Sequence, residues 1–271
     1  MADRIEYVLA DPEGNKTILV LTPVERDMYR EVTGRLLDEC PEAEQLGFVK
    51  DPVEYEGKMI PHMEMSGLEF CGNASRAFAY YEALVHEPPL HEITVKVSGS
   101  DKPLKAWADA KECRSKIEMP VPLGMKQLVV PDVNGGEIRG NLVEMEGIAH
   151  LVLIDVEPDE KTFHMLKDHV YENVEDYPAF GVMFIDVASD KMTPVVYVRD
   201  VDTVYFEGSC ASGTVACAYS MTATCCVPVR THVFRQPAGT LEVEVHVAGG
   251  QVSRMILDGG ISISEKMISE K

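Results

Sequence analysis

Apolar positions along the chain fall into two orderly series, and the second repeats the first. Strand-like runs at Arg4 to Leu9 and Thr17 to Leu21 lead into Thr22-Pro23-Val24-Glu25. That tetrapeptide predicts a helix start, with threonine as cap, proline at the first helical position and glutamate closing a capping box. Val24, Met28, Val32 and Leu36 then recur at helical spacing until Pro41 stops the run. Short apolar runs follow at Leu46 to Val49 and Met59 to Met65. The segment opening at Cys71 places Ala74, Ala77, Phe78, Tyr81, Leu84 and Val85 on one face, which predicts a second, amphipathic helix ended by Pro88-Pro89. Ile93 to Val97 alternates as a strand does, and the stretch Pro120 to Gly124 reads as a boundary.

The second series has the same order. Ile148 to Val156 reads as a strand, Asp159 to Val174 as a helix with Phe163, Leu166 and Val170 inward, and Gly181 to Val187 and Val195 to Val198 as strands. A further helix opens at Cys210, followed by a strand in which Leu241, Val243, Val245 and Val247 alternate with polar residues. The two helices that open at cysteines can be superimposed: Cys71, Ala77, Ala79 and Tyr80 coincide with Cys210, Ala216, Ala218 and Tyr219. Matches at equivalent places in two similar element orders predict an internal repeat, two related α/β halves facing each other across a cleft.

Composition narrows the function. A chain of 271 residues with 45% apolar content can bury two cores of ordinary size. The formal charge of −20, with basic residues scattered singly, disfavours nucleic acid and anionic membranes as partners. Met1 to Asn15 has acidic residues where a signal peptide needs a basic stretch and an apolar run, so a cytoplasmic protein is expected. Seven cysteines without a Cys-x-x-Cys pair fit neither a disulfide framework nor a zinc site. For Cys40, Cys113, Cys217, Cys225 and Cys226 the expected role is that of a small buried hydrophobe. The residue pattern alone leaves Cys71 and Cys210 open between that role and catalysis.

The catalytic alternative has a physical basis. Each of these cysteines sits in a small-residue loop at an expected helix N-terminus, where unpaired N–H groups and the helix dipole stabilise a thiolate. An ordinary thiol, with a pKa of about 8.5, is only about 3% ionised at pH 7, and a pKa near 7 makes it about half. One thiolate and one thiol can therefore coexist. Inverting a stereocentre without a cofactor needs that pair, a base on one face of the α-carbon and an acid on the other. Helix N-termini would also hold a substrate carboxylate and the enolate-like charge that develops. Neither pyridoxal nor a metal is required.

Phe70-Cys71-Gly72-Asn73-Ala74-Ser75-Arg76 and Gly208-Ser209-Cys210-Ala211-Ser212-Gly213-Thr214 resemble the two active-site segments of the diaminopimelate epimerase and proline racemase superfamily. The resemblance extends to Glu13-Gly14-Asn15, Gln45-Leu46-Gly47-Phe48 and Gln236-Pro237-Ala238-Gly239, so it spans nearly the whole chain. It implies an α/β fold of two pseudo-symmetric β-roll halves, each wrapped around a central helix, with the active site in the cleft between them. The expected halves are residues 1–122, completed by 255–271, and residues 123–254. It implies Cys71 and Cys210 as acid/base residues, and Asn15, Gln45, Gly72, Asn73, Ala211 and Ser212 at the substrate's α-amino and α-carboxylate groups. A homodimer acting on a small amino acid is also implied.

Departures from diaminopimelate epimerase concern the far end of the substrate. Where that family has a distal Glu-Arg pair, this chain has Val201-Asp202, and its nearest arginine is Arg199. Nine residues before the first cysteine the family has asparagine; here it is His62. A Gly-Asn-Pro-His segment appears as Gly147-Ile148-Ala149-His150. Within the superfamily, Gly14-Asn15-Lys16-Thr17-Ile18-Leu19-Val20, Met65-Ser66-Gly67-Leu68-Glu69-Phe70-Cys71 and His62 resemble the histidine racemase type of opine-like metallophore biosynthesis. That resemblance implies histidine as substrate and His62 as a substrate contact, with Glu64, Glu69 or Glu207 accepting a hydrogen bond from the imidazole. A diaminopimelate epimerase with another distal grip, an isomerase that does not use two thiols and a non-catalytic amino-acid-binding relative remain the alternatives.

Overall fold

The computed structural model describes residues 4–132, 135–222 and 227–270, so Cys225 and Cys226 lie outside the described residues. The chain divides into two compact units, Met1–Met119 with Ile256–Lys271, and Pro120–Met255.

In the first unit Arg4–Asp11 pairs antiparallel with Thr17–Val20 on one side and with the C-terminal strands Ser262–Ile263 and Met267–Glu270 on the other. Thr17–Val20 is parallel to Gln45–Tyr55, and a parallel pair needs a crossover. Helix α1, Tyr29–Glu39, supplies it and buries Tyr29, Val32 and Leu36 against Phe48 and its neighbours. The rings of Tyr29 and Phe48 stack at 3.8 Å. The second helix, α2, Gly72–Val85, packs on the opposite side, against Arg4–Asp11, Thr17–Val20, Lys58–Met65 and the following strands Glu92–Val97, Leu104–Asp109 and Arg114–Met119. Thr17–Val20, covered on both faces, is buried at every position, as expected of a strand between two layers.

The second unit repeats the scheme. Ile148–Ile154 and Ala179–Asp186 are parallel, joined through helix α3, Glu160–Asn173. Asp159 caps α3 by accepting the Thr162 N–H at 2.9 Å, and Phe163, Leu166 and Val170 point into the core as their spacing predicts. Helix α4, Ala211–Thr222, is packed among Glu137–Met145, Ile148–Ile154, Ala179–Asp186, Val229–Arg235 and Thr240–Ala248. Each unit is thus a roll of strands around one helix, and that helix opens at a cysteine. Among the described residues no helix is long and apolar enough to cross a membrane.

Three expectations need correction. The helix does not start at Thr22. Backbone bonds from Leu21 and Thr22 to the Glu6 carbonyl prolong the ladder, and the Thr22 hydroxyl accepts the Glu6 N–H at 2.8 Å instead of capping. A 3-10 turn, Arg26–Met28, precedes α1. Second, α2 is not amphipathic: it is buried almost all round from Gly72 to Tyr81, whereas Val85 is exposed. Alanines and glycine let the strands close over it, and helical spacing alone cannot tell a one-sided helix from an enclosed one. Third, Cys113 is exposed, in a left-handed turn between two strands, rather than buried.

A buried carboxylate ties α1 to the sheet. Glu64, 4% exposed, accepts Arg26 Nε at 3.0 Å, Arg26 Nη2 at 2.5 Å and Tyr29 Oη at 2.8 Å. The Arg26 bonds, helped by Tyr29 and opposed by burial, bring its pKa down to about 2. A depressed carboxylate stabilises the fold above its unfolded pKa, near 4.5, and that contribution is lost as pH falls through about 2. Because the Arg26 guanidinium is largely exposed, solvent screening limits the contribution to about 2 kcal/mol. Urea unfolding of Glu64→Gln should show that deficit at pH 7 and a smaller one at pH 3. An equal deficit at both pH values would refute the assignment.

Candidate active site

Two clusters form around the cysteines at the openings of α2 and α4, one in each unit. Cys71 is the N-cap of α2: its backbone is extended and its sulfur accepts the Ala74 N–H at 3.4 Å. The same sulfur accepts Gln45 Nε2 at 3.2 Å and lies 3.6 Å from Asn15 Oδ1, toward which only a protonated thiol can donate. Gln45 Nε2 also reaches Asn15 Oδ1 at 2.7 Å and Thr17 Oγ1 at 2.9 Å. Asn15 itself has φ 55°, at the end of a left-handed run begun by Glu13 and Gly14. Asn15, Gln45 and Cys71 are thus brought together from 56 residues of chain, with Gly72 and Asn73 buried in the first turn behind the sulfur.

Cys210, 7% exposed, is held differently. Its own N–H donates to Gln236 Oε1 at 2.8 Å, and Gln236 Nε2 donates to Thr214 Oγ1 at 3.0 Å. Its sulfur accepts the Gly213 N–H at 3.4 Å and lies 3.6 Å from the Ser212 hydroxyl. Burial, and then the hydrogen-bonded carboxylate of Glu207, push the Cys210 thiol well above the usual range, while Gly213 and Ser212 pull it back. A side chain at Gly213 would have to displace the buried Met183 thioether, and its Cβ would stand 3.2 Å from the Cys210 sulfur. Ala211 and Ser212 form the first turn of α4, and the Ser212 hydroxyl also meets His150 Nε2 at 2.9 Å.

His150 is fully buried, and burial brings its pKa down to about 3, so the ring is neutral at pH 7. Among the described residues its Nδ1 has no partner. A buried bare acceptor costs less than an orphaned N–H, which places the proton on Nε2, donating to Ser212 and leaving the serine hydrogen free to turn toward Cys210.

His62 is not brought to Cys71. Gly47 pairs with Met65 and Phe48 with Glu64 across the ladder, and alternate residues point to opposite faces. Gln45, Gly47, Met63 and Met65 share the α2 side, whereas Phe48, Lys50, Glu64 and His62 share the α1 side, where Lys50 lies over the Tyr29 ring. His62 lines a groove of about 670 Å³ with Arg26, Lys96 and Ser98. Glu64 lies on that same α1 side, bonded to Arg26 and Tyr29 and 3.8 Å from His62 Nε2. Arg199 is committed to Asp176 at 2.8 Å. The sequence reading assigned no role to Thr17, Thr214 or Gln236. Gln236 stood in a recognised segment, but its bond to Cys210 spans 26 residues and has no local signal.

Comparisons with known proteins bear on the fold and the family. A family model described as the histidine racemase CntK N-terminal domain matches residues 4–267. A histidine racemase from Fusobacterium nucleatum is 32% identical over 96% of this chain and 94% of its own length. One from Staphylococcus aureus is 27% identical, covering 92% of each. Among solved structures, a hydroxyproline epimerase from Agrobacterium vitis with bound trans-4-hydroxy-L-proline superimposes with TM-score 0.66 at 12% identity, over 99% of this chain and 93% of its own. A methylitaconate-delta-isomerase does so with TM-score 0.60 at 13% identity, over 98% and 95%. These structures establish the fold, the racemase and epimerase type of α/β architecture, and the match over residues 4–267 goes further: the chain belongs to the histidine racemase family, whose members are amino-acid racemases and so isomerases.

Proposed function

We propose that this protein interconverts L- and D-histidine without a cofactor, with Cys71 and Cys210 acting on opposite faces of one α-carbon. A single observation carries the reading. Each sulfur has both hydrogen-bond donors, which suit a thiolate, and an acceptor, which suits a thiol: Gln45, Ala74 and Asn15 at Cys71, and Gly213, Ser212 and Glu207 at Cys210. A two-base racemase needs that, because each group is the base for one enantiomer and the acid for the other. Asn15, Gln45 and the first-turn N–H groups at Gly72, Asn73, Ala211 and Ser212 hold the α-amino and α-carboxylate groups in this reading. Glu69, two residues before Cys71, is the acceptor for the imidazole in this reading; burial pushes its carboxyl above the usual range, and the Glu69 and Gly67 N–H groups pull it back. The enzyme is read as a cytoplasmic homodimer, for which sedimentation should give twice the chain mass.

The test is α-proton exchange in heavy water, followed by NMR, on reduced protein with L-histidine, L,L-diaminopimelate, L-proline and L-glutamate. Deuterium should enter histidine together with appearance of D-histidine. Faster exchange with L,L-diaminopimelate would replace the substrate assignment, and exchange with none of them would overturn the racemase reading.

A further inference from the structure

The cluster around Cys71 depends on a loop that is unfavourable by itself. Glu13, Gly14 and Asn15 take φ of 64°, 90° and 55° in succession. The left-handed region is unfavourable for Glu13 and better tolerated by Asn15, so the surroundings must hold the loop in place. Part of the hold is local, since Asp11 Oδ1 accepts the Gly14 N–H at 2.9 Å. Asn15 Nδ2 donates to Glu44 Oε2 at 3.0 Å and Thr17 Oγ1 donates to the Asn15 carbonyl at 3.2 Å, and the Pro12 end of the loop is held by Arg76, one turn into α2 and fully buried. Its Nη2 donates to the Pro12 carbonyl at 2.8 Å, and its Nη1 to the carbonyls of Gly259 (2.7 Å), Gly260 (3.0 Å) and Ser115 (3.3 Å). Ser115 Oγ returns a bond to the Arg76 carbonyl at 3.1 Å. Glu13 lies against Gly260, where a Cβ would meet Glu13 Oε1 at 2.4 Å.

Among the described residues the guanidinium donates to main-chain oxygens, while the nearby carboxylates of Glu13 and Asp258 supply the opposite charge that a buried cation requires. The arrangement makes sense for a group that must grip several backbone segments at once, which a planar fork of donors does and a lysine does not. One segment is the helix that Cys71 caps, and another is the loop that ends in Asn15. We propose that Arg76 is a positioning residue for the racemase reaction: by holding Pro12 against α2 it fixes the Glu13–Asn15 loop in the one conformation that sets the Asn15 amide against Gln45 and the Cys71 sulfur.

This inference rests on the reading of Cys71 as a reacting group, so its test includes a readout that needs no turnover. Arg76→Lys, Asn15→Ala and the double variant are compared in kcat and KM for histidine, and in the rate at which iodoacetamide alkylates Cys71 and Cys210, located by mass spectrometry. Arg76→Lys should lower kcat/KM about 100-fold, the usual consequence of misplacing a reacting group by about an ångström. It should change Cys71 alkylation several-fold and leave Cys210 alone. In the Asn15→Ala background the same change should cost less than about 3-fold, since the group that Arg76 positions is gone. Equal losses in both backgrounds, or parallel changes at both cysteines, would mean a general structural role and overturn the proposal. Should Arg76→Lys not fold, Asp11→Ala loosens the same loop with Arg76 in place. Unchanged kcat/KM and Cys71 alkylation in that variant would overturn it equally. Full activity in Cys71→Ala defeats the reading of Cys71, whereas the alkylation rates still report whether Arg76 holds the loop.

Discussion

Replacing either Cys71 or Cys210 by alanine should reduce histidine racemisation by at least about 10³-fold while leaving the fold intact. A positioned acid or base contributes about 10² to 10⁴ to a proton transfer, and here each direction of the reaction uses both sulfurs. Neither substitution removes much packing: Cys71 is half-buried, and the Cys210 side chain is small. The backbone bonds that fix α4, from Cys210 N–H to Gln236 and from Thr214 N–H to the Cys210 carbonyl, do not involve sulfur and survive. Circular dichroism and melting temperature should therefore change little. Loss of racemisation in only one of the two variants would mean a one-base mechanism. Retention of racemisation in both variants would place the chemistry elsewhere. The structural likeness to a methylitaconate-delta-isomerase shows why the experiment is needed, since the fold by itself does not name the acid and the base.

The second large effect is an asymmetry between the two sulfurs in the resting enzyme. Iodoacetamide at pH 7.5 should label Cys71 at least about 10-fold faster than Cys210, because only the thiolate reacts. Burial and the Glu207 carboxylate keep Cys210 protonated, and its pKa is raised. The sign of the pH effect follows: the Cys210 thiolate appears only well above neutrality, and any stability gained by keeping it a thiol is present at neutral pH and lost as pH rises through its folded pKa. Slow labelling could also come from poor access, so thiolate absorbance at 240 nm is the companion measurement. The absorbance step that Cys210→Ala removes from the wild-type titration should lie well above neutrality, and Glu207→Gln should move that step downward. Equal labelling together with coincident titrations would defeat the asymmetry. If it holds, the enantiomer whose α-hydrogen faces Cys71 is the one that the resting enzyme deprotonates.

His150 adds a dependence in the acid range. Its neutral form is enforced by burial, and its pKa lies near 3 rather than 6.5, so its contribution to stability is present above about 6.5 and lost as pH falls toward 3. The carboxylate of Glu64 loses its contribution further down the same range.

What was legible in the sequence follows from short-range physics. The repeated order of strands and helices could be read from apolar periodicity, as Phe163, Leu166 and Val170 on α3 show. Cysteines at helix openings flanked by small residues could be read as well, because a cap and its helix are neighbours along the chain. The two cysteine motifs then gave a family resemblance, which the match over residues 4–267 bears out. Thr22 misled because capping propensity is local, and a ladder bond to Glu6, sixteen residues away, outweighed it.

The chain pattern by itself determined the repeated order, the four helices with some of the strands, and a cysteine at the opening of two of those helices, all of which depend on contacts within a turn or two of chain. Only the tertiary structure decided which groups meet them. It put His62 on the α1 side of the sheet, because strand residues alternate faces and a spacing of nine carries no record of register. It brought Gln236 to Cys210 and made Arg76 a hub for Pro12, Ser115 and Gly259, contacts across 26, 64, 39 and 183 residues. It also distinguished two cysteines that look alike in sequence, since the burial and the neighbouring carboxylate that set a thiol's charge are properties of the space around it.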